Sequence, residues 1–280
     1  MKAKKSLGQN FLKSEIALKK IIEAGNVKPD DIILEIGPGK GALTEKLLEK
    51  AGLVIAVEKD RELFELLQTK FKKEINENKL ILLNEDILKF ENVLHKYKII
   101  ANIPYNITGA ILKKFLTAKN QPTSMVLMVQ HEVAKRIMGR GGNTHLRHGV
   151  NVYKESILSI SVKAYGEPKL IMKVPARYFS PSPKVDSAVI AINNISRKNF
   201  LPLPNLPLSK GEAKESVNEE KFWEIVKTGF AHKRKKLSSN LKNLKNYTND
   251  ISAENLGNKR AEDLTLTDWI NLARHWVSGK

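Results

Sequence analysis

The sequence predicts a doubly wound α/β domain with a mostly parallel, Rossmann-like sheet, followed by a small all-helical domain. Three observations predict it. Short apolar runs alternate with segments of helical periodicity through about residue 138. The first run flows into Gly37-Pro38-Gly39-Lys40-Gly41, at the start of a helical segment. An acid, Glu58, closes the second run.

Taken in order, Ser14 can cap a helix over residues 15–24, with Gly25 stopping it. Residues 32–36 form a buried strand, 42–50 a helix and 54–57 a second strand. Leu63, Phe64, Leu67 and Phe71 recur at helical spacing within 61–72. Strands follow at 80–83, 97–101 and 125–129, with helices at 110–116 and from 133 to 138. Leu158, Ile160 and Val162 alternate with Ser159, Ser161 and Lys163, the pattern of a half-exposed strand, and 185–192 reads as the last strand. Residues 194–218 carry Pro202, Pro204 and Pro207 without apolar periodicity, a linker or insertion. The domains are therefore expected at 1–193 and 219–280. In the second, Phe222, Ile225 and Val226 share a face, and residues 264–276 show helical spacing.

Lys and Arg number 48 against 30 acids, a formal charge of +18, which points to a polyanionic partner. Six of the lysines lie in the first 20 residues against one acid, Glu15. Lys233, Arg234, Lys235 and Lys236 form a second concentration at an expected helix, near Phe222, Trp223 and Phe230. That run reads either as a solvated face or as an RNA contact. The absence of cysteine excludes a disulfide scaffold, a thiolate zinc site and a cysteine nucleophile. No metal is expected. No apolar run approaches the roughly 20 residues of a membrane helix, and a soluble, cytoplasmic protein is expected.

Strand, glycines, helix and acid arrive in the order a nucleoside-cofactor site requires. Glu58 can accept from ribose hydroxyls, and Asp86, after the third strand, from an adenine amine. The third glycine comes one residue too early for a dinucleotide fingerprint. Glu35 would repel a pyrophosphate but suits an ammonium. The expected cofactor is S-adenosylmethionine rather than a nicotinamide nucleotide.

The fourth strand runs into Asn102-Ile103-Pro104-Tyr105-Asn106. An exocyclic adenine amine is a weak nucleophile because its lone pair is delocalised into the ring. Two acceptors on its hydrogens, the Asn102 oxygen and a carbonyl of the Ile103-Pro104 turn, would localise that pair, and Tyr105 could stack on the base. Taken alone, the same residues are also an ordinary strand-end turn. Phe179 reads equally well as a core anchor for its Pro-Ser loop.

At these residues the sequence resembles the ribosomal RNA adenine dimethyltransferases, most closely their bacterial small-subunit branch. The resemblance rests on Leu7-Gly8-Gln9-Asn10-Phe11-Leu12, Glu35-Ile36-Gly37-Pro38-Gly39, Asn102-Ile103-Pro104-Tyr105-Asn106-Ile107 and the stretch from Phe179 through Ser180-Pro181-Ser182-Pro183 to Val189. It implies a class I methyltransferase sheet. It also implies that Asn10 and Leu12 close over the cofactor, that Gly37, Glu58 and Asp86 bind its methionine, ribose and adenine parts, and that Asn102 touches it and holds the target amine. Phe179 would sandwich the base against Tyr105. The implied reaction is N6,N6-dimethylation of two adjacent adenosines in a 3′-end hairpin loop of small-subunit (16S) ribosomal RNA. The implied substrate is a pre-ribosomal subunit and the free protein a monomer. The chain departs from the family pattern at residues 146–152 and in a longer insertion around 200–216. The rival readings are a large-subunit adenine dimethyltransferase, a non-catalytic assembly factor on the same fold and a nicotinamide dehydrogenase.

Overall fold

The computed structural model describes residues 4, 7–139, 154–201, 216–244 and 256–277. The departure at 146–152 and most of the insertion lie outside the described residues. The chain divides into two compact units, Met1–Ala134 with Gly166–Ser196, and Lys135–Tyr165 with Arg197–Lys280. The expected boundary at 193 falls three residues before the second crossing, while residues 135–165 group with the C-terminal unit.

The first unit runs β1 (Phe11–Leu12), α1 (Glu15–Gly25), β2 (Ile32–Ile36), α2 (Ala42–Leu48), β3 (Leu53–Glu58), α3 (Arg61–Lys70), α4 (Lys72–Asn76), β4 (Leu80–Asn84), β5 (Tyr97–Asn102), α5 (Thr108–Leu116) and β6 (Ser124–Gln130). α6 (His131–Met138) crosses into the second unit, which also holds α7 (Ile157–Lys163). The chain then returns for β7 (Glu167–Val174), β8 (Phe179–Ser180) and β9 (Ser187–Asn193).

Seven strands form one sheet in the order β4-β3-β2-β5-β6-β9-β7. The pairs among β2 to β6 are parallel, and β9 is antiparallel to both neighbours. The doubly wound expectation holds, with β9 alone running against the other six strands and making the sheet mixed. The central strands are apolar runs because both faces are covered. On one face Ile33, Val54, Ile100, Val126 and Val189 pack with Leu18, Ile21 and Ile22 of α1.

Ser14 caps α1, its Oγ accepting from Ala17 N at 3.3 Å. The helix ends one residue later than expected, on Asn26 in the left-handed region (φ 42°). Gly25 is not the stop. It is helical and lies so close to Ile100 that a Cβ would fall 2.5 Å from that side chain's Cδ1.

Two expectations need correcting. Residues 157–163 are helix, not strand. The Ser156 Oγ accepts from Ser159 N (3.1 Å) and the Ser159 Oγ from Ser156 N (2.7 Å), a reciprocal cap that starts a helix whatever the alternation downstream. The strand lies after it, at β7, where a register shift between Leu170 and Met172 breaks the period of two that would have marked it. The basic run is likewise not helical. In the second unit α8 (Glu219–Gly229) stops before it and α9 (Leu237–Leu241) starts after it. The Asn240 amide, buried behind the turn, donates to the Gly229 and His232 carbonyls (2.6 and 3.2 Å) and takes up groups the helix leaves unpaired. Lys233, Arg234, Lys235 and Lys236 stand exposed on that turn.

The second unit closes with α10 (Leu266–Val277). Its core is aromatic. Trp269 is fully buried and stacks on Phe230 (5.5 Å), and Phe222 meets Phe200 edge-on (5.3 Å). Phe200, at the start of the expected linker, is thus a core residue. Among the described residues no helix is long and apolar enough to cross a membrane.

Candidate functional site

From β2 the chain moves outward to β3 and β4, then returns to place β5 on the other side of β2. This is the point where strand order reverses, and the loops leaving the two strands must part and open a crevice. They do so here as a cleft of about 590 Å³, lined among others by Glu35, Gly37, Glu58, Asp86, Asn102 and Tyr105.

One side of the cleft is acidic and built on main-chain hydrogen bonds. Gly37 and Gly39 both hold positive φ (64° and 62°), which lets the loop turn sharply beneath α2. The Glu58 carboxylate accepts from Gly39 N (3.1 Å) with one oxygen and from Asp60 N (2.8 Å) with the other, so the acid at the end of β3 ties the glycine loop to the start of α3. Burial raises its pKa in spite of these donors. Glu35, 1% exposed, accepts from the Thr44 hydroxyl at 2.7 Å. Burial pushes its pKa up to about 8. Asp86 differs. Lys59 lies 2.8 Å from one of its oxygens and Leu88 N donates to the other at 3.0 Å, and together they hold this carboxyl below its ordinary range.

The other side carries the turn after β5. Asn102 Nδ2 donates to the Asn10 carbonyl at 3.1 Å. A carbonyl only accepts, so this contact fixes which end of the amide is nitrogen and leaves Oδ1 as the acceptor. Ile103 is buried, Pro104 sets the extended entry to the 3-10 turn Tyr105–Ile107, and the half-buried Tyr105 lines the cleft. Burial raises the Tyr105 phenol above its ordinary pKa.

The N-terminal segment covers this region through contacts that sequence reasoning missed. Gln9 donates to Asp60 (2.7 Å), Lys4 pairs with the same carboxylate (2.8 Å), and β1 pairs antiparallel with β8. Burial of Asp60 opposes its ionisation, but Lys4, Gln9 and the Glu62 N–H outweigh burial and hold its pKa below the ordinary value. Asp60 was detectable as a helix-capping residue two positions after Glu58, whereas Gln9 and Thr44 carry no local signal of their partners.

The cleft therefore gathers Asn10, Leu12, Gly37, Glu58, Asp86, Asn102, Ile103, Pro104 and Tyr105. It does not include Phe179. Paired with Leu12 across β1 and β8, Phe179 is 2% exposed with its ring in the core, and its neighbour Ser180 faces the cleft instead. Lys233, Arg234, Lys235 and Lys236 belong to the other unit.

Residues 1–276 match the family model described as ribosomal RNA adenine dimethylase. The chain is 39% identical to the ribosomal RNA small subunit methyltransferase A of Dehalococcoides mccartyi (strain CBDB1) over 99% of its own length and 89% of that protein's. It is 36% identical to the protein of the same name from Fusobacterium nucleatum, over 98% and 97%. Among solved structures it resembles the 23S rRNA methyltransferase ErmE, with a TM-score of 0.72 and 25% identity over 96% of this chain and 100% of that one. The fold is also that of a dimethyladenosine transferase from Plasmodium falciparum, with a TM-score of 0.76 and 24% identity over 96% and 98%.

Glu35 generates a pH prediction. Its folded pKa, about 8, lies above the ordinary 4.5. Between those values the folded state keeps a proton that the unfolded state has lost, so stability falls as pH rises and the loss is complete above the folded pKa. Denaturation of the wild type and Glu35→Gln should therefore diverge from about pH 5 to about pH 8.5, with the variant gaining relative stability. Parallel curves would show that Glu35 is ionised in the fold.

Proposed function

The chain belongs to the ribosomal RNA adenine dimethylase family, and we propose that it acts on two adjacent adenosines in a hairpin loop near the 3′ end of small-subunit ribosomal RNA. It is an S-adenosylmethionine-dependent dimethyltransferase of adenine N6 in small-subunit RNA. The observation that carries the site assignment is the placement of an amide oxygen, Asn102 Oδ1, beside an acidic nucleoside cradle at the sheet's switch point. The full-length relatives at 36–39% identity are small-subunit enzymes by name, which supports that substrate over large-subunit RNA.

The residues present fit S-adenosylmethionine. A Cβ on Gly37 would meet only Pro104 Cδ, at 3.8 Å, so the loop leaves room for close approach. The Glu58 carboxylate, although engaged by the main-chain N–H groups of Gly39, Asp60 and Lys59, has lone pairs left for a ribose hydroxyl. Glu35 is a desolvated carboxyl that a neighbouring ammonium would ionise. Asp86 would accept from the adenine amine, with Asn10 and Leu12 above it. When bound, the cofactor supplies an electrophilic methyl group on a sulfonium.

Asn102 Oδ1 and a carbonyl of the Ile103-Pro104 turn accept the two hydrogens of the target amine. This would draw the nitrogen toward tetrahedral geometry and localise its lone pair for attack on an electrophilic methyl group. The Tyr105 ring holds the base by stacking. After transfer the nitrogen is an ammonium, acidic enough to release its proton to water, so no general base is required. The monomethyl product keeps one hydrogen and can re-present it to an acceptor. Phe179 can close the second face of the base only if its ring leaves Leu12 and the core, at a cost on the order of 2 kcal/mol.

The formal charge of +18 supports RNA as the partner, and a pre-ribosomal subunit supplies the shape that charge alone cannot read. The exposed turn Lys233-Arg234-Lys235-Lys236 is assigned to phosphate contacts. The free protein is taken to be a cytoplasmic monomer.

Methyl transfer to small-subunit particles tests the site. Asn102→Ala should lower turnover by about 10²-fold or more while RNA affinity changes little. Near-normal turnover would remove Asn102 from the mechanism. Neutralising Lys233, Arg234, Lys235 and Lys236 should flatten the dependence of RNA affinity on salt. The log–log slope should fall by about 0.7–0.9 for each phosphate the protein no longer neutralises. An unchanged slope would place the phosphate contacts elsewhere.

A further inference from the structure

Tyr105 projects from the turn after β5, but its far end is held two strands away. Its phenolic oxygen lies 2.5 Å from the Ser187 Oγ, a contact in which either group can donate. Ser187 has no accessible surface and is the first residue of β9. It is paired with Gln130 of β6 on one side and Val174 of β7 on the other. A serine held by ladders on both sides is among the least mobile anchors a sheet provides. The near end of Tyr105 is fixed independently, by Pro104 (φ −61°) and by Thr108, whose Oγ1 donates to the Tyr105 carbonyl at 3.1 Å.

An aromatic ring fixed at both ends cannot swing about χ1, and its face keeps one tilt toward the cleft. The hydroxyl, engaged by Ser187, does not compete for the polar edge of a base, so the tyrosine offers a stacking surface alone. We propose that Ser187 is a positioning residue for methyl transfer, holding the Tyr105 ring at the tilt in which the target adenine presents its amine to Asn102. This rests on the reading of Tyr105 as the stacking platform. Ser187 acts on the reaction only through Tyr105 and touches neither cofactor nor RNA.

A double-mutant cycle on the full chain tests it, with Tyr105→Phe, Ser187→Ala, the two combined, and Ser187→Thr, which keeps the hydroxyl. Turnover on small-subunit particles, KM for S-adenosylmethionine and thermal midpoint are measured for each. Each single change should lower kcat by about 5–20-fold at an S-adenosylmethionine KM within about 2-fold of wild type. Because both remove the same bond, the combined variant should be no slower than the slower single. Ser187→Thr should recover most of the missing kcat. Multiplying losses, unchanged kcat in both singles, or losses that follow the thermal midpoint and are not recovered by threonine would overturn the proposal. A wild type that transfers methyl groups while the cycle shows no coupling overturns this inference alone. A wild type that transfers none overturns the functional reading and this inference with it.

Discussion

Two parallel strands that the chain leaves in opposite directions along the sheet, Ile32–Ile36 and Tyr97–Asn102, lie next to each other, and the chemistry depends on that adjacency. Their loops cannot follow one crossover direction, so they part. The acidic cradle is built from the first loop together with the ends of β3 and β4, and the amide acceptor comes with the second. The N-terminal segment joins the two halves. Gln9 and Lys4 are bonded to Asp60, whose main chain is bonded to Glu58, while the next carbonyl along, that of Asn10, orients Asn102. One short segment thus connects the group that would read the ribose with the group that would activate the amine.

Charge is sorted in the same architecture. The molecule as a whole is strongly basic, yet the cleft is lined with Glu35, Glu58 and Asp86. A polyanion is attracted to the surface, whereas a cation is favoured in the crevice. Burial sharpens the second effect. Desolvation raises the pKa of Glu35 and Glu58, so a positive ligand group gains most where carboxylates have lost water. Asp86, with Lys59 beside it, stays ionised and is suited to accepting a hydrogen bond from a neutral amine.

Local signals were legible in the sequence, and long-range contacts were not. The strand at 32–36, the glycine loop, Glu58 and the Asn102 turn could be read because each is a short pattern with its own backbone logic. The helix at 157–163 was hidden because three alternating pairs imitate a strand, and its cap depends on two serines that look unremarkable as sequence. β7 was hidden by its register shift. Phe179 could be core or site on its residue type, and only its burial in the fold, 2% exposed, places its ring inside. The Tyr105–Ser187 and Gln9–Asp60 contacts join residues 82 and 51 positions apart and leave no periodic trace.

The central claim is that this cleft places two methyl groups on each of two neighbouring adenines of small-subunit RNA. Nuclease digestion and mass spectrometry of both ribosomal RNAs, after reaction of the purified protein with unmodified subunits and S-adenosylmethionine, test it most directly. The account predicts N6,N6-dimethyladenosine at two adjacent positions near the 3′ end of the small-subunit RNA. Monomethyladenosine alone, or dimethyladenosine confined to the large-subunit RNA, would contradict it.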